Sequence, residues 1–281
     1  MAAIPGSNWL RRVLRSAVSR GEDWPFYLCL ALLGGVYVFL IVAMLVADLF
    51  FTTPGHLLEA LASPQIQYAI KLSLISSSIT ALLSLWVAVP LGYLLARTNF
   101  WGKGVVDTLL DIPIVLPPLV IGLSLLILFQ WGPFKALHDS IPVTYAVPSV
   151  ILAQFAVSAA FAVRTMRVTF EQIPVRGEQV AMTLGCTRNQ AFWRVALPQA
   201  RRGLLTAATL AWARALGEFG PILIFSGSTR MRTEVLSTTV WLELSVGKLE
   251  AAIAVSLLMI LTAVVVLVIT RTFGLRGTGL I

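Results

Sequence analysis

The sequence predicts an all-α integral membrane protein with about six transmembrane helices, on the basis of its composition and of how its apolar residues are arranged. Of its 281 residues, 58% are hydrophobic and 12% are charged, and the mean hydropathy is +0.87. An average soluble domain has roughly 25% charged residues, so this chain has too few charges to cover a soluble surface. Its apolar residues also form runs of the roughly 20 residues that a helix needs to cross a bilayer core.

Hydropathy and charge together predict the topology. The predicted spans are Phe26–Phe50, Leu72–Ala96, Val105–Gln130, Val147–Val163, Leu204–Phe225 and Ala251–Ile269. Six spans put both termini on one side of the membrane, and the segments on that side hold 15 Lys and Arg residues, against 5 in the loops on the other side. Because loops rich in Lys and Arg stay in the cytoplasm, we predict that both termini are cytoplasmic.

No linker or low-complexity stretch divides the chain, so residues 26–271 are predicted to form one transmembrane domain, which contains a long cytoplasmic loop at 164–203. The preceding segment, 1–25, has apolar residues at helical spacing and predicts a short amphipathic helix on the cytoplasmic face of the lipid bilayer, with an unstructured basic tail as the alternative. Residues 272–281 are predicted to be a cytoplasmic tail. The net charge of +8 follows the membrane topology, so nucleic acid is not expected as a partner.

The sequence offers no catalytic or metal-binding group. Its histidines, His56 and His138, fall in separate external loops, which argues against a metal site and against a His-based triad. Cys29 lies in the first predicted span and Cys186 in a cytoplasmic loop, so they do not suggest a disulfide framework.

The loop 164–203 is about 40 residues long, and its sequence predicts two short helices rather than disorder. Glu178–Leu184 is predicted to be the first helix, and Gly185 stands where a left-handed C-terminal cap favours a residue without Cβ. Thr187 begins a Thr-Arg-Asn-Gln segment, which matches a capping box and predicts the start of the second helix.

Leu197 and Pro198 are predicted to end that second helix. The expected result is a helical hairpin at the cytoplasmic mouth of the membrane domain. Two functions remain open for it from the residues alone: an interfacial cover for the ends of its own bundle, or a docking surface for a partner.

The segment from Glu178 to Pro198 resembles the EAA loop of binding-protein-dependent ABC import permeases. The positions that match are Ala181, Leu184, Gly185, Val195, Leu197 and Pro198. The sequence departs from the family pattern at its start, because Gln179 and Val180 occupy the places of the usual Glu and the first Ala, and Glu178 comes one residue earlier.

Two further segments extend the resemblance from about the second span to the last. Asp111–Gly122 looks like the opening of the third span in oxyanion permeases, and Ala213–Gly220 looks like a motif of the molybdate, tungstate and sulfate group. The resemblance implies a permease subunit in a bacterial or archaeal plasma membrane that forms the pathway for a tetrahedral oxyanion, molybdate or tungstate ahead of sulfate. Iron(III), phosphate or a polyamine is the alternative solute.

The resemblance also implies partners: a second copy of the permease, two copies of a cytoplasmic ABC ATPase and an external solute-binding protein. The implied ATPase-coupling residues are Glu178, Ala181, Leu184, Gly185, Phe192, Leu197 and Pro198. The chain itself has no G-x-x-x-x-G-K-[S/T] loop, so we expect it to be a non-catalytic subunit that binds no cofactor, with ATP and magnesium used by the ATPase.

Charges and helix breakers inside the membrane mark a candidate pathway or gate. Arg214 lies about 15 Å into the fifth predicted span, and Glu218 follows four residues later on the same helix face. A charge at that depth generally faces a partner or a water-filled cavity, so the pair either lines the pathway or fixes helix packing. The other candidate pathway or gate residues are Gly217, Gly220, Pro117 and Pro118, which weaken the fifth and third spans. A less favoured function for the pair is charge relay in an ion-coupled secondary transporter.

Overall fold

The computed structural model describes residues 24–275, with side chains up to Val268 apart from that of Pro54, and every regular element in this range is helical. The chain divides into two units, one ending at Thr53 and the other beginning at Pro54. Residues 1–23 of the predicted amphipathic segment and residues 276–281 of the predicted tail lie outside the described residues.

The first unit contains helix α1 (Trp24–Phe51), which includes the predicted span Phe26–Phe50. Its most apolar stretch has a mean hydropathy of 2.7, and none of its side chains is buried. A helix that is apolar on every side is stable in lipid or inside a protein core, so α1 has the character of a membrane span.

The second unit is a bundle of longer helices joined by short ones. Within the described residues its helices are α2 (Pro54–Ala62), α3 (Pro64–Arg97), α4 (Lys103–Val115), α5 (Pro118–Leu128), α6 (Gly132–Ser140), α7 (Val147–Gln172), α8 (Arg176–Thr183), α9 (Arg188–Ala191), α10 (Leu197–Gln199), α11 (Arg201–Leu216), α12 (Gly220–Ser226), α13 (Leu236–Ser245) and α14 (Leu249–Leu275).

Three predicted spans of this unit lie on single long helices, namely α3, α7 and α14. Together with α1 they are the four described helices that are long and apolar enough to cross a membrane. Helix α7 continues past the predicted end of its span at Val163 and reaches Gln172, close to the hairpin.

Two predicted spans are broken, at the prolines and glycines that were expected to weaken them. Val105–Gln130 is divided into α4 and α5, whose axes differ by 113°. Leu116 has an extended backbone because it precedes Pro117, and Pro118 then starts a new helix. Leu204–Phe225 is divided into α11 and α12. Counting the bent pair as one span gives up to five candidates among the described residues, and the number six remains a prediction.

Helices α3, α7 and α11 pack together at the centre of the bundle, and small residues allow them to approach closely. A Cβ added at Gly92 in α3 would lie 2.9 Å from the backbone nitrogen of Arg167 in α7. Ala88, Ala162 and Ala207 are fully buried in the same cluster. Because lipid provides little hydrophobic drive for helix association, such close backbone approach is the typical means of packing membrane helices.

Candidate functional site

The hairpin that follows α7 adopts the capped geometry that its sequence predicts. Helix α8 ends at Thr183, and Gly185 has a φ of +92°, in the left-handed region. The Thr187 side chain accepts a hydrogen bond from the Gln190 backbone N–H at 3.3 Å, and the Gln190 side chain accepts one from the Thr187 backbone N–H at 2.9 Å. These reciprocal bonds form the predicted capping box and start α9 at Arg188.

The end predicted for the second helix at Leu197 and Pro198 is wrong. The chain passes from α9 into a turn of π-helix at Phe192–Ala196, in which the Leu197 N–H bonds to the Phe192 carbonyl, and helical structure continues through Pro198 to Gln199. In a regular α-helix the Pro198 ring would clash with the carbonyl four residues earlier. The wider π turn changes the hydrogen-bond pattern just before the proline, so the helix can continue.

One side of the hairpin is anchored to the bundle. The Glu178 carboxylate is buried, and it accepts hydrogen bonds from Arg97 Nε at 2.9 Å and from the Tyr93 hydroxyl at 2.5 Å, both on α3. Phe192 also points inward, with its ring 4.7 Å from that of Tyr93 and 6.4 Å from that of Phe170. Glu178 and Phe192 therefore fasten the hairpin to the ends of α3 and α7.

The opposite side of the hairpin carries apolar residues that nothing in the described chain covers. Leu184 is 81% exposed, Val180 is 57% exposed and Trp193 is 61% exposed. Gln179, Gly185 and Pro198 are also exposed, whereas Ala181 and Leu197 are half-buried. An exposed apolar patch of this kind at the end of a bundle is typical of a protein-binding surface.

The two broken spans meet at their breaks, where the structure brings two of the candidate gate residues, Gly220 and Pro118, together. A Cβ added at Gly220, at the start of α12, would lie 3.0 Å from Pro118 Cβ in α5. A Cβ added at Gly122 in α5 would lie 2.7 Å from Pro221 Cα. The two short helices therefore pack backbone to backbone. Gly217 is not required by its backbone conformation, because any residue can adopt its φ of −82°.

Arg214 and Glu218 form the contact that their spacing suggests, but across the end of a helix. Helix α11 stops at Leu216, and Arg214 Nη1 lies 2.7 Å from Glu218 Oε2. The Glu218 side chain is 1% exposed and that of Arg214 is 28% exposed. The two atoms are close enough for an ion pair, but the angles do not satisfy a hydrogen bond to Glu218 Oε2. Phe161 lies beside the guanidinium, whose Cζ is 5.8 Å from the ring centroid.

Sequence reasoning missed a row of ion pairs between α4 and α7 at the hairpin end. Arg167 Nη1 lies 2.5 Å from Asp107 Oδ1, and Arg164 Nη1 lies 3.0 Å from Asp111 Oδ1. The sequence spacing could have indicated these ion pairs. The two aspartates are four residues apart and lie on one face of α4, and the two arginines are three residues apart and lie on one face of α7. These bridges hold α4, the segment before the 113° bend, against the helix that leads into the hairpin.

A groove of about 610 Å³ lies between α7 and α11 at the same end of the bundle. Its lining includes Arg164, Arg202, Gln172 and Gln199, and none of its lining residues is acidic. Arg164 is already paired with Asp111 beside the groove, so Arg202 contributes most of the positive charge that would attract an anion here. Within the described residues, no three His, Cys, Asp or Glu side chains come together in a way that could hold a metal ion.

A bundle of membrane-spanning helices, with an anchored hairpin that presents apolar residues outward, is the arrangement of a transporter's permease subunit. A model of the family described as "binding-protein-dependent transport system inner membrane component" matches residues 88–276. The chain belongs to this family, whose members are permease subunits of ABC importers.

Relatives of this chain are named as transport-system permeases. It is 36% identical over 208 residues to the molybdate/tungstate transport system permease protein WtpB of Pyrococcus abyssi, covering 73% of this chain and 79% of that protein. It is 31% identical over 229 residues to the sulfate transport system permease protein CysT of Salmonella typhimurium, covering 79% and 82%. A probable molybdenum ABC transporter permease of Haloferax volcanii is 32% identical over 243 residues, covering 86% and 88%.

Solved structures show the same fold. A chain of a bacterial ABC transporter for the acidic polysaccharide alginate has a TM-score of 0.71 at 20% identity, covering 94% of this chain and 99% of that one. A chain of an inward-facing MetNI methionine ABC transporter has a TM-score of 0.59 at 16% identity, covering 77% and 99%.

Proposed function

We propose that this chain is the permease subunit of an ABC importer and forms the translocation pathway for a tetrahedral oxyanion, with molybdate or tungstate ahead of sulfate. The observation that carries the energy-coupling part is the outward face of the hairpin. Leu184 and Val180 are exposed there at the end of the bundle, as a docking surface for an ATPase requires.

The choice of solute rests on two further observations. Relatives from archaea and bacteria are named for molybdate, tungstate or sulfate. The groove between α7 and α11 contains Arg164 and Arg202 and has no acidic lining residue. We take this groove to open on the pathway, where its positive charge attracts an anion and repels iron(III) or a polyamine, and phosphate is the closest competing solute.

The proposed assembly divides the work among several chains. Two copies of this permease form a homodimer in the membrane, two copies of an ABC ATPase bind the two hairpins, and an external binding protein delivers the solute. This chain is non-catalytic and binds no cofactor, whereas ATP and magnesium act on the ATPase. The assembly lies in the plasma membrane of a bacterium or archaeon.

The proposed topology has six spans and cytoplasmic termini. Four long helices and the bent pair α4–α5 supply five spans, and α11 with α12 forms the sixth. The hairpin then lies in the cytoplasm, as the 15 to 5 distribution of Lys and Arg favours.

The decisive experiment purifies the chain with its natural ATPase and binding protein and measures uptake into proteoliposomes. Molybdate, tungstate and sulfate are supplied in turn, with phosphate, iron(III) and a polyamine as controls. We expect ATP-dependent uptake of molybdate or tungstate, and retention of the same anion by the purified binding protein.

Two outcomes would contradict the proposal in different ways. Selective retention and uptake of a control solute would replace the oxyanion and keep the permease. Uptake that continues without ATP and follows an ion gradient would favour a secondary transporter that uses Arg214 and Glu218 as a charge relay.

A further inference from the structure

The base of the hairpin contains a buried ionic group that the outward docking face does not use. The Glu178 side chain is 7% exposed, and so is that of Arg97. Both Glu178 carboxylate oxygens are occupied, one by Arg97 Nε at 2.9 Å and the other by the Tyr93 hydroxyl at 2.5 Å. A carboxylate that is enclosed and bonded on both oxygens holds its position much more firmly than an exposed one.

Arg97 connects this carboxylate to two long helices at once. It is the last residue of α3, and its Nη2 donates a hydrogen bond to the Ile173 carbonyl at 2.9 Å, just after the end of α7. One guanidinium therefore joins the end of α3, the end of α7 and the first turn of α8. Movement of the hairpin relative to the bundle must either carry Arg97 with it or break these bonds.

The next residues of α8 face the other way. Gln179 and Val180 are exposed, whereas Glu178 is buried, so consecutive positions divide between the outer and the inner face of one short helix. By the family pattern it is Gln179, not Glu178, that occupies the place of the usual glutamate. The acidic group at this helix is therefore directed toward α3 and away from any partner that docks on the hairpin.

The other ion pairs between elements at this end are more exposed. The Arg164 and Asp111 side chains are 61% and 47% exposed, and those of Arg167 and Asp107 are 32% and 26% exposed. Exposed ion pairs hold their geometry weakly, because water and salt screen them. The Glu178 pair is the more rigid link for transmitting a displacement.

We infer that Glu178 is a transmission residue: it does not contact the ATPase but, through Arg97 and Tyr93, converts displacement of the docked hairpin into movement of α3 and α7. This inference rests on the proposed function. It gives the hairpin two separate faces, an outer one that binds the ATPase and an inner one that drives the membrane helices. Loss of the inner link leaves a complex that assembles and hydrolyses ATP but transports little.

The test compares three measurements on the reconstituted complex with the ATPase and binding protein: recovery of ATPase in a pull-down, ATP hydrolysis, and solute taken up per ATP hydrolysed. In Glu178→Gln we expect normal recovery of ATPase and uptake per ATP reduced by at least about fivefold, the lower end of typical coupling between sites. Tyr93→Phe, which removes one hydroxyl from the ring, is expected to reduce the same ratio by a smaller factor. Arg97→Gln combined with Glu178→Gln is expected to be more stable than Glu178→Gln alone, since no buried charge is left unpaired, but its uptake per ATP should stay low because the link is still absent.

The matched control is Glu171→Gln, which removes a carboxylate from the same end of the bundle. Glu171 is exposed and pairs with Arg167 within α7, and it does not itself contact α4, to which Arg167 is joined through Asp107. Its uptake per ATP is expected to stay at the wild-type value. An equal loss of uptake per ATP in Glu171→Gln would mean that Glu178→Gln acts by removing a negative charge from this end of the bundle and not by breaking the link to Arg97.

The remaining outcomes of these measurements contradict either the inference or the proposed function. Loss of ATPase from the pull-down in Glu178→Gln, at normal permease levels, would make Glu178 a contact residue. Unchanged uptake per ATP in Glu178→Gln would make the link irrelevant to transport. If Glu178→Gln does not accumulate in the membrane, Tyr93→Phe provides the test. Unchanged uptake per ATP in Tyr93→Phe would then overturn the inference. Failure of the wild-type complex to transport with ATP would instead contradict the proposed function.

Discussion

Arg214 and Glu218 illustrate how much a single contact depends on its surroundings. Glu218 is 1% exposed and has Arg214 as its charged neighbour, at 2.7 Å, while its backbone carbonyl accepts a hydrogen bond from the Ser237 hydroxyl at 2.6 Å. The backbone at Glu218 is thus fixed where α11 ends and α13 begins. Its proximity to the break between α11 and α12 makes the pair part of the joint that the two broken spans form.

We predict that Arg214 and Glu218 are energetically coupled. Arg214→Ala or Glu218→Ala leaves one charge unpaired in a buried setting, which costs about 3–5 kcal/mol when a buried pair is broken. The double variant should lose less than the sum of the single losses. Thermal unfolding and uptake by all four proteins measure the coupling, and strictly additive losses would show that the residues act independently.

Glu234 has a different environment, because it is fully buried in the segment between α12 and α13. Burial raises the pKa of its carboxyl group, and the hydrogen bond from the Thr239 hydroxyl at 3.1 Å and the charge of Arg230 offset part of that rise. The folded state therefore keeps this proton at pH values where the unfolded chain has lost it. Stability contributed by this group falls as the pH rises from the ordinary carboxyl range through the raised pKa, and then levels off.

Glu234→Gln removes that pH dependence, since glutamine has a similar shape and no charge. We expect wild type and variant to unfold at similar temperatures in acid, with the variant becoming the more stable of the two as the pH rises toward neutrality. Thermal unfolding of both proteins over a pH series measures this difference. A constant difference between them at every pH would show that Glu234 has an ordinary pKa in the folded protein.

At the scale of elements, the hairpin depends on the turn at Gly185. No atom of the described chain lies within 4 Å of a Cβ added there, so a substitution is opposed by the φ of +92° and not by crowding. Gly185→Val places a β-branched residue in the left-handed region, at a cost of about 1–3 kcal/mol. We expect normal insertion into the membrane, with ATP hydrolysis stimulated by solute and uptake falling together, and Gly185→Ala should be milder.

The measurement for Gly185 is ATP hydrolysis and uptake by the reconstituted complex, with a pull-down of the ATPase by each variant. Normal coupling in Gly185→Val at normal protein levels would mean that the hairpin only covers the ends of its own bundle. This result would differ from the one expected for Glu178→Gln, in which hydrolysis continues and transport is lost.

The crossing of α3 and α7 depends on a second glycine. Gly92→Ala would place its Cβ 2.8 Å from Met166 Cβ and 2.9 Å from the Arg167 backbone nitrogen, so the helices must separate. Overpacking of this kind costs about 1–3 kcal/mol. Gly104→Ala in α4 is the matched control, because nothing lies within 4 Å of its added Cβ, and it should hold or gain stability. Equal unfolding temperatures for the two variants would contradict close packing at Gly92.

Local signals in the sequence predicted local structure well and packing poorly. The cap at Gly185 and the capping box at Thr187 were both predictable, because each depends on residues within one turn of the chain. The end of the hairpin at Pro198 was predicted wrongly, since a π turn that accommodates a proline has no clear sequence signature. The inward direction of Glu178 could not be predicted either, because it depends on Arg97, which is distant in sequence.

At the scale of the whole second unit, the two broken spans form one joint and the ion pairs lead toward it. Glu178 ties the hairpin to α3, while Asp107 and Asp111 tie α4 to α7, and α4 leads directly to the bend before Pro118. Gly220 packs on that same proline. The chain therefore has a series of contacts from the hairpin to the break in each of the two spans, along which the proposed ATPase could act on the gate.

This arrangement is useful to an importer only if the hairpin and helix α6 lie on opposite sides of the membrane. Arg188, at the start of α9, and Lys135, in α6, are both exposed and test this in a chain whose native Cys29 and Cys186 have been replaced. In Arg188→Cys we expect an impermeant maleimide to label inverted vesicles and not right-side-out ones, because the positively charged loops stay in the cytoplasm. Lys135→Cys should show the reverse. Labelling of both cysteines from the same side would contradict the proposed topology. Labelling of Arg188→Cys only from outside would contradict it too, and would place the hairpin beyond the reach of any cytoplasmic ATPase.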